Sequence, residues 1–225
     1  MSARSSELDR AYKVLTIVVS AYIAAQVLAD VASLRIVSIG GFSVDGGTLI
    51  YPFTFTIRDL VHKIAGKRVA RLVIFVAAGI NLVMAGVFRV VAALPADLEV
   101  GTQMEFGAVL APVWTIVAAS IIAEVVSELI DTEVYQRWVQ SFGDRWQWGR
   151  VLASNAVAVP IDSALFVWLA FGGLLPGSEA LATGVLVSIF WANVLIKGAI
   201  TLVSIPGIYL VRPTPLPPAD AVRLD

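Results

Sequence analysis

Residues 72–94 read LVIFVAAGINLVMAGVFRVVAAL, and the charged side chain among them is Arg89. A helix of about 20 apolar residues crosses a hydrocarbon core about 30 Å thick. Within a bilayer such a segment must be helical, because unpaired peptide groups there cost several kcal/mol each. These residues are therefore predicted to form a transmembrane helix.

Five comparable apolar runs lie on either side of this segment, between breaks rich in charge, proline or glycine. The chain is 58% hydrophobic and 15% charged, with a mean hydropathy of +0.85, which is well above that of an average soluble domain. We therefore predict an all-α membrane protein, a bundle of six transmembrane helices at residues 14–37, 48–64, 72–94, 106–130, 151–175 and 181–210. Because Arg58, Asp59, His62 and Lys63 interrupt the second run, we expect that helix to be short or broken.

The basic residues are unevenly distributed among the connections between these runs. Every second connection lacks Lys and Arg, and its loops hold acids such as Asp45 and Glu99. The positive-inside rule then places both termini in the cytoplasm of a multi-pass protein of the inner membrane. The cytoplasmic basic residues are Arg4, Arg10, Lys13, Lys63, Lys67, Arg68, Arg71, Arg137, Arg145, Arg150, Arg212 and Arg223.

Composition also excludes several kinds of site. The chain has no cysteine and one histidine, so disulfides, thiol chemistry and a His/Cys metal site are excluded, and we expect no metal and no cofactor. The first run lacks a small-residue cleavage pattern, so it is expected to remain as a helix. We predict one transmembrane domain over residues 1–211, followed by a proline-rich cytoplasmic tail over residues 212–225.

Polar side chains recur four or seven residues apart within four of the runs, which places each set on one helix face. The sets are Gln26 with Asp30, Glu124 with Glu128 and Asp131, Asn155 with Asp162, and Asn193 with Lys197. Charged groups facing lipid are costly, so the sets are predicted to converge on an internal, wet cavity, with Lys197 near the midplane. Asn81 and Asp59 are expected to complete the cavity. For single amides, an interhelical hydrogen bond worth about 0.6 kcal/mol is the alternative.

Glu124 and Glu128 are the strongest indication of a binding site. Two carboxylates one turn apart repel unless a cation such as Lys197, a shared proton or a ligand relieves them. A flat heterocycle with adjacent ring N–H and amino groups, as in guanine, offers paired donors to a carboxylate. Aromatic side chains could sandwich such a ring, although packing is the alternative role for each; they are Phe53, Trp114, Phe166, Trp168 and Trp191.

Four segments of the chain are similar to signatures of the queuosine precursor transporters, also called the vitamin uptake transporter family. YPFTFTIRDL at residues 51–60, with Gly66 and Arg71, resembles the YP-x-x-F-x-x-x-D-L run of that family. The second segment is SELID at residues 127–131, with Val134 and Tyr135. The third comprises ASN at residues 153–155 and IDS at residues 161–163, and the fourth comprises Lys197, Pro206 and Tyr209. The resemblance implies a six-helix inner-membrane protein, not an enzyme, that takes up deazaguanine precursors of queuosine, chiefly the cyano and aminomethyl forms.

Two positions depart from the family pattern. Glu128 stands where the family usually has Gln, and Glu124 occupies a position that is more often aromatic or apolar. Because a carboxylate only accepts hydrogen bonds, a pocket with these acids should favour donor-rich ligands such as the aminomethyl base. The predicted substrate-binding residues are Glu124, Glu128, Asn155, Asp162, Lys197, Asp59, Asn81, Gln26 and Phe53.

The sequence leaves two other functions open. One is the substrate-binding subunit of an energy-coupled vitamin transporter, and the other is an intramembrane enzyme, although His62 lies at a cytoplasmic helix end. The expected partners are a small deazaguanine or purine-like molecule and the lipid bilayer, without nucleic acid. Gly79, Gly86 and Gly198 permit close helix contact, including self-association into a homodimer.

Overall fold

A computed structural model describes residues 3–142, 147–176 and 178–210, and some side chains within its helices lie outside the description. The described chain is mostly helical, which confirms the all-α membrane class. Its helices are α1 (Ala3–Ala32), α2 (Tyr51–Ala93), α3 (Met104–Leu110), α4 (Val113–Phe142), α5 (Gln147–Phe171) and α6 (Thr183–Leu210). Two short strands, β1 (Ile36–Ile39) and β2 (Phe42–Asp45), and a 3-10 turn (Gly46–Leu49) connect α1 to α2.

Five segments of the described chain are long and apolar enough to cross a membrane. They are Asp9–Ala32, Arg68–Ala93, Met104–Asp131, Leu152–Phe171 and Thr183–Val203. Large apolar side chains on their outer faces are exposed in the isolated chain, as Phe75, Val83 and Val203 illustrate. An exposed apolar surface of this extent is expected where lipid covers it. The chain is therefore a multi-pass membrane protein.

The predicted second helix is present as the first part of α2. Gly66 has φ 82° and ψ 172°, so the helix is interrupted there and divides into residues 51–65 and 67–93. Val61 shares a core cluster with Val73, Ile74 and Ala77, so the two parts of α2 lie side by side. At 1.5 Å per residue the first part is about 22 Å long, which is less than the hydrocarbon thickness. This length agrees with the predicted short second helix. That six helices cross the membrane remains a prediction.

The hairpin was not predicted. The apolar run predicts a first helix that extends to residue 37, but α1 ends at Ala32 and residues 36–45 form an antiparallel pair, with Ile36 opposite Asp45. Gly40 and Gly41 have positive φ values of 58° and 85°, as the central residues of a two-residue type I′ hairpin require. The helix prediction over residues 33–37 was therefore wrong, because it relied on apolarity alone. The predicted second helix also begins later, at Tyr51.

The 3-10 turn that follows the hairpin presses closely on the end of α1. A Cβ atom added to Gly46 would lie 2.5 Å from the carbonyl oxygen of Ala32, and one added to Gly47 would lie 2.0 Å from Ser33 Oγ. The hairpin also contacts α6, where the backbone N–H of Ser43 donates to Ser188 Oγ at 2.8 Å. These contacts hold Asp45 and Thr48, both buried, at one end of the bundle interior.

The main hydrophobic core lies between α4, α5 and α6. Buried side chains of all three helices form one cluster there, among them Ala119, Val167 and Ile189, and Leu34 packs against it. Alanines on α4 let α5 approach closely, because they carry no bulk beyond Cβ. This packing fixes the rotation of the three helices and turns the polar faces of α4, α5 and α6 toward α1 and α2.

Candidate functional site

The inside of the bundle contains a cavity, called here the first cavity, with about 320 Å³ of empty space. Three carboxyl groups, one ammonium group and two aromatic rings contribute to its wall. The lining residues are Ala29, Asp30, Ser33, Asp45, Gly47, Thr48, Tyr51, Ser120, Ala123, Asp162, Phe166 and Lys197.

A buried ion pair between α5 and α6 forms one wall of this cavity. Lys197 Nζ lies 2.7 Å from Asp162 Oδ2, and Ser127 Oγ donates to Asp162 Oδ1 at 3.3 Å. Lys197 Nζ also lies 4.8 Å from the ring centroid of Tyr51, within the range of a cation–π interaction. The ammonium group therefore faces a carboxylate and an aromatic ring together, a combination that could also hold a polar ligand.

Asp30, near the end of α1, forms another wall and is bound by neutral groups. Its Oδ2 accepts a hydrogen bond from Asn81 Nδ2 at 2.6 Å, and its Oδ1 accepts one from Ser120 Oγ at 2.9 Å. Asp30 and Asn81 are 2% and 5% exposed. The two hydrogen bonds connect α1 with the second part of α2 and with α4.

Asp45 lies at the hairpin end of the cavity and caps the 3-10 turn. Its Oδ1 accepts from Ser33 Oγ at 2.9 Å and from the backbone N–H of Thr48 at 3.1 Å. The Thr48 hydroxyl contacts both Asp45 Oδ2 and Asn193 Oδ1. A carboxylate that accepts from the first turn of a helix stabilises that turn. Asp45 and Thr48 therefore hold the 3-10 turn against Ser33, just after α1, and against Asn193 of α6.

Glu124 belongs to a polar cluster next to the first cavity. Tyr22 OH donates to Glu124 Oε1 at 2.8 Å, and Gln26 Nε2 donates to the same oxygen at 3.2 Å and to Tyr22 OH at 2.9 Å. The three side chains are buried and join α1 to α4. Glu124 lies one turn after Ser120, which lines the cavity.

A second cavity, with about 240 Å³ of empty space, lies on the far side of Asp162. Asp131 is the last residue of one candidate membrane span, and Asn155 lies near the start of the next. This cavity is therefore near the end of the bundle opposite the hairpin. Asp162 is common to both cavities. The residues that line the second cavity are Arg58, Ser127, Asp131, Asn155, Ala158, Val159 and Asp162.

The structure brings most of the predicted site residues together. Asp162 and Lys197 line the first cavity and Asn155 the second, whereas Gln26, Asn81 and Glu124 are buried beside them. Phe53 is 53% exposed and lies apart from both linings. The side chains of Asp59 and Glu128 are outside the described part of the structure.

The sequence pattern does not assign a binding role to several of the residues that line the first cavity. Tyr51 supplies an aromatic ring that was expected from Phe53, whereas Phe166 is one of the aromatic candidates and lines the first cavity. The helical spacing places Asp30 on the polar face of the first helix but assigns it no binding role. Asp45 was placed in a loop, although an Asp three residues before a Thr across two glycines is a pattern typical of a helix or turn cap.

Comparisons with known proteins agree with the helical transporter class. The sequence model of a family described as "Putative vitamin uptake transporter" matches residues 45–211. The chain is also similar to a protein of Bacillus subtilis (strain 168) named "Probable queuosine precursor transporter", with 26% identity over 190 residues, which are 84% of this chain and 80% of that protein. No solved structure matches the chain at a significant level.

Proposed function

The chain belongs to the vitamin uptake transporter family, and we propose that it imports a queuosine precursor, a 7-deazaguanine base, through the first cavity. The observation that carries the proposal is the combination of carboxyl groups, the Lys197 ammonium and the rings of Tyr51 and Phe166 around one internal space. A deazaguanine base has the complementary groups: ring and amino N–H donors, a carbonyl acceptor and a flat face. The similarity to a protein named as a queuosine precursor transporter supports the same substrate class.

Each group of the cavity wall has a defined task in this proposal. Asp162 accepts hydrogen bonds from the amino and ring N–H groups of the base, and Lys197 donates to its carbonyl oxygen. Tyr51 and Phe166 contact the faces of the ring. Ligand binding then competes with the 2.7 Å contact between Asp162 and Lys197, so the empty cavity keeps both charges paired until a base takes over their hydrogen bonds.

The remaining predicted site residues support this arrangement. Glu124, Gln26 and Asn81 hold α1, α2 and α4 in position through their buried hydrogen bonds. Asn155 offers an amide to a base that passes through the second cavity. Asp59 and Glu128 remain predicted members of the site.

The two cavities suggest a route across the inner membrane. The positive-inside rule assigns both termini and the Gly66 turn, which is followed by Arg68 and Arg71, to the cytoplasm. The hairpin and the first cavity then face the outside, and the second cavity faces the cytoplasm. Because both cavities meet at Asp162, alternating access around a mid-membrane site requires rearrangement of few contacts. A homodimer stays a prediction.

Uptake by the purified chain in liposomes tests the proposal. Radiolabelled cyano and aminomethyl deazaguanine are expected to enter protein-containing vesicles, with guanine and adenine as competitors. Asp162→Asn should reduce uptake strongly, while the matched substitution Asp97→Asn, at an exposed position, should not. If the bases bind without entering, the chain is instead the substrate-binding subunit of an energy-coupled transporter. If neither base binds, the proposed function is wrong.

A further inference from the structure

Asp30 lies within a candidate membrane span, and the groups that donate to it are neutral. Asp162, in contrast, is paired with Lys197. Asp45 also accepts from neutral groups, but it caps a turn between two candidate membrane spans. Asp30 accepts only from the neutral groups of Asn81 and Ser120, and within the described residues no Lys or Arg forms an ion pair with it. A carboxylate without a cation is strongly disfavoured inside a membrane protein.

The amide of Asn81 provides independent information about this position. Its Nδ2 donates to Asp30, but its Oδ1 is buried and has no hydrogen-bond partner. A buried acceptor without a donor is rare, because the lost hydrogen bond to water is not replaced. A donor is therefore expected beside Asn81 Oδ1, whose amide contacts Asp30. Rotation of the amide by half a turn would also let Oδ1 accept a proton carried by the Asp30 carboxyl group.

We propose that Asp30 is a binding position for one positive charge inside the first cavity. A proton occupies it when the cavity is empty, and the ammonium group of a base that carries an aminoalkyl substituent replaces the proton when the cavity is filled. This inference rests on the proposed function in one respect, namely that the first cavity is the substrate site. It adds a specificity determinant, since Asp30 distinguishes a cationic base from a neutral base with the same ring.

The exchange conserves charge and atoms. The O–H bond of the Asp30 carboxyl group breaks and its proton leaves to water, while an N–H of the ligand ammonium donates to the resulting carboxylate. The other titratable groups around Asp30 come from each neighbouring element: Asp45 next to the 3-10 turn, Tyr51 of α2, Glu124 of α4, Asp162 of α5 and Lys197 of α6. Lys197 is the cation of this lining, and it contacts Asp162.

Calorimetry of the purified full-length chain tests the exchange. Cyano and aminomethyl deazaguanine share one ring system and differ in charge, so they form a matched pair of ligands. Titrations at one pH in two buffers of different ionisation enthalpy report the protons released. We expect about one proton released per aminomethyl base bound and none for the cyano base. Affinity for the aminomethyl base should rise as the pH rises and Asp30 loses its proton, while affinity for the cyano base stays constant.

Variants separate Asp30 from its neighbours. Asp30→Asn should abolish proton release and the pH dependence for the aminomethyl base while the cyano base still binds. Asp97→Asn is the matched control and should release protons as the wild type does. The inference is wrong if proton release persists in Asp30→Asn, or if Asp45→Asn abolishes it instead. Equal proton release for both bases would also overturn it. If Asp30→Asn does not fold, the pH dependence of the wild-type affinity for the two bases still tests the inference. Failure of both bases to bind the wild type contradicts the proposed function instead.

Discussion

Lys197 of α6 and Asp162 of α5 form an ion pair that is almost completely shielded, with Nζ 2.7 Å from Oδ2 and side-chain exposures of 4% and 2%. Removing one partner of a buried pair leaves an uncompensated charge and typically costs about 3 to 5 kcal/mol. We therefore expect Asp162→Asn and Lys197→Gln each to lower the thermal unfolding temperature in detergent markedly, and Lys197→Gln to be less stable than the exposed control Lys13→Gln.

The double variant tests whether the pair serves stability alone. Replacing both charges by neutral groups removes the uncompensated charge, so Asp162→Asn with Lys197→Gln should be more stable than either single variant. Uptake of the deazaguanine base should remain low, because both ligand contacts are absent. Recovery of stability together with uptake would show that the pair has no role in binding.

The hydrogen bond from Tyr22 to Glu124 allows a second stability prediction. Tyr22 is 1% exposed and its hydroxyl donates to Glu124 Oε1 at 2.8 Å. Tyr22→Phe keeps the ring but removes this hydrogen bond and the one that Tyr22 OH accepts from Gln26 Nε2. A hydrogen bond contributes about 0.5 to 1.5 kcal/mol, so the expected loss is about 1 to 3 kcal/mol. Chemical denaturation should show a loss in that range, whereas Tyr12→Phe, at a position 49% exposed, should show little. Equal stability of the two variants would contradict the cluster described here.

Gly47, in the 3-10 turn that lines the first cavity, has no room for a side chain. A Cβ atom there would lie 2.0 Å from Ser33 Oγ and 2.6 Å from the carbonyl oxygen of Ala29. Gly47→Ala should push the 3-10 turn away from α1 and weaken ligand binding. The control Gly86→Ala has no atom within 4 Å of the added Cβ and should be neutral or slightly stabilising, since alanine favours helix. Thermal shift with and without ligand measures both effects.

The turn inside α2 depends on the backbone of Gly66. Its φ of 82° and ψ of 172° are unfavourable for residues with a side chain, and such strain costs of the order of 1 to 3 kcal/mol. Gly66→Ala should lower the unfolding temperature even though the added Cβ meets no atom within 4 Å. Gly198→Ala, which is equally unobstructed but lies within α6, is the control. A Gly66→Ala variant as stable as this control would argue against the interruption of α2 at Gly66.

The sequence predicted the membrane class from the length of its apolar runs, and it predicted that the polar faces with Asp162 and Lys197 converge, because charge is costly in lipid. It offered Lys197 as a cation for Glu124 and Glu128, whereas the structure pairs Lys197 with Asp162. It also predicted a short second helix from the charges that interrupt it. It did not predict the hairpin, since four-residue strands are a weak local signal beside long apolar runs. Nor did it predict that Glu124 accepts from Tyr22 and Gln26, because packing between helices sets the rotation of each helix.

The route through the two cavities is tested by cysteine labelling, for which the natural absence of cysteine is an advantage. Ser33→Cys places a thiol of similar size in the first cavity, and Ala158→Cys places one in the second. A membrane-impermeant thiol reagent should modify the first from outside the cell and the second only in inverted vesicles, and an added deazaguanine base should slow modification of Ser33→Cys several-fold. Thr183→Cys, exposed at the start of α6, is the control that should react from outside whether or not the base is present. Modification of Ser33→Cys and Ala158→Cys from the same side would show that the two cavities are not separate entrances, and the proposed alternating access at Asp162 would be wrong.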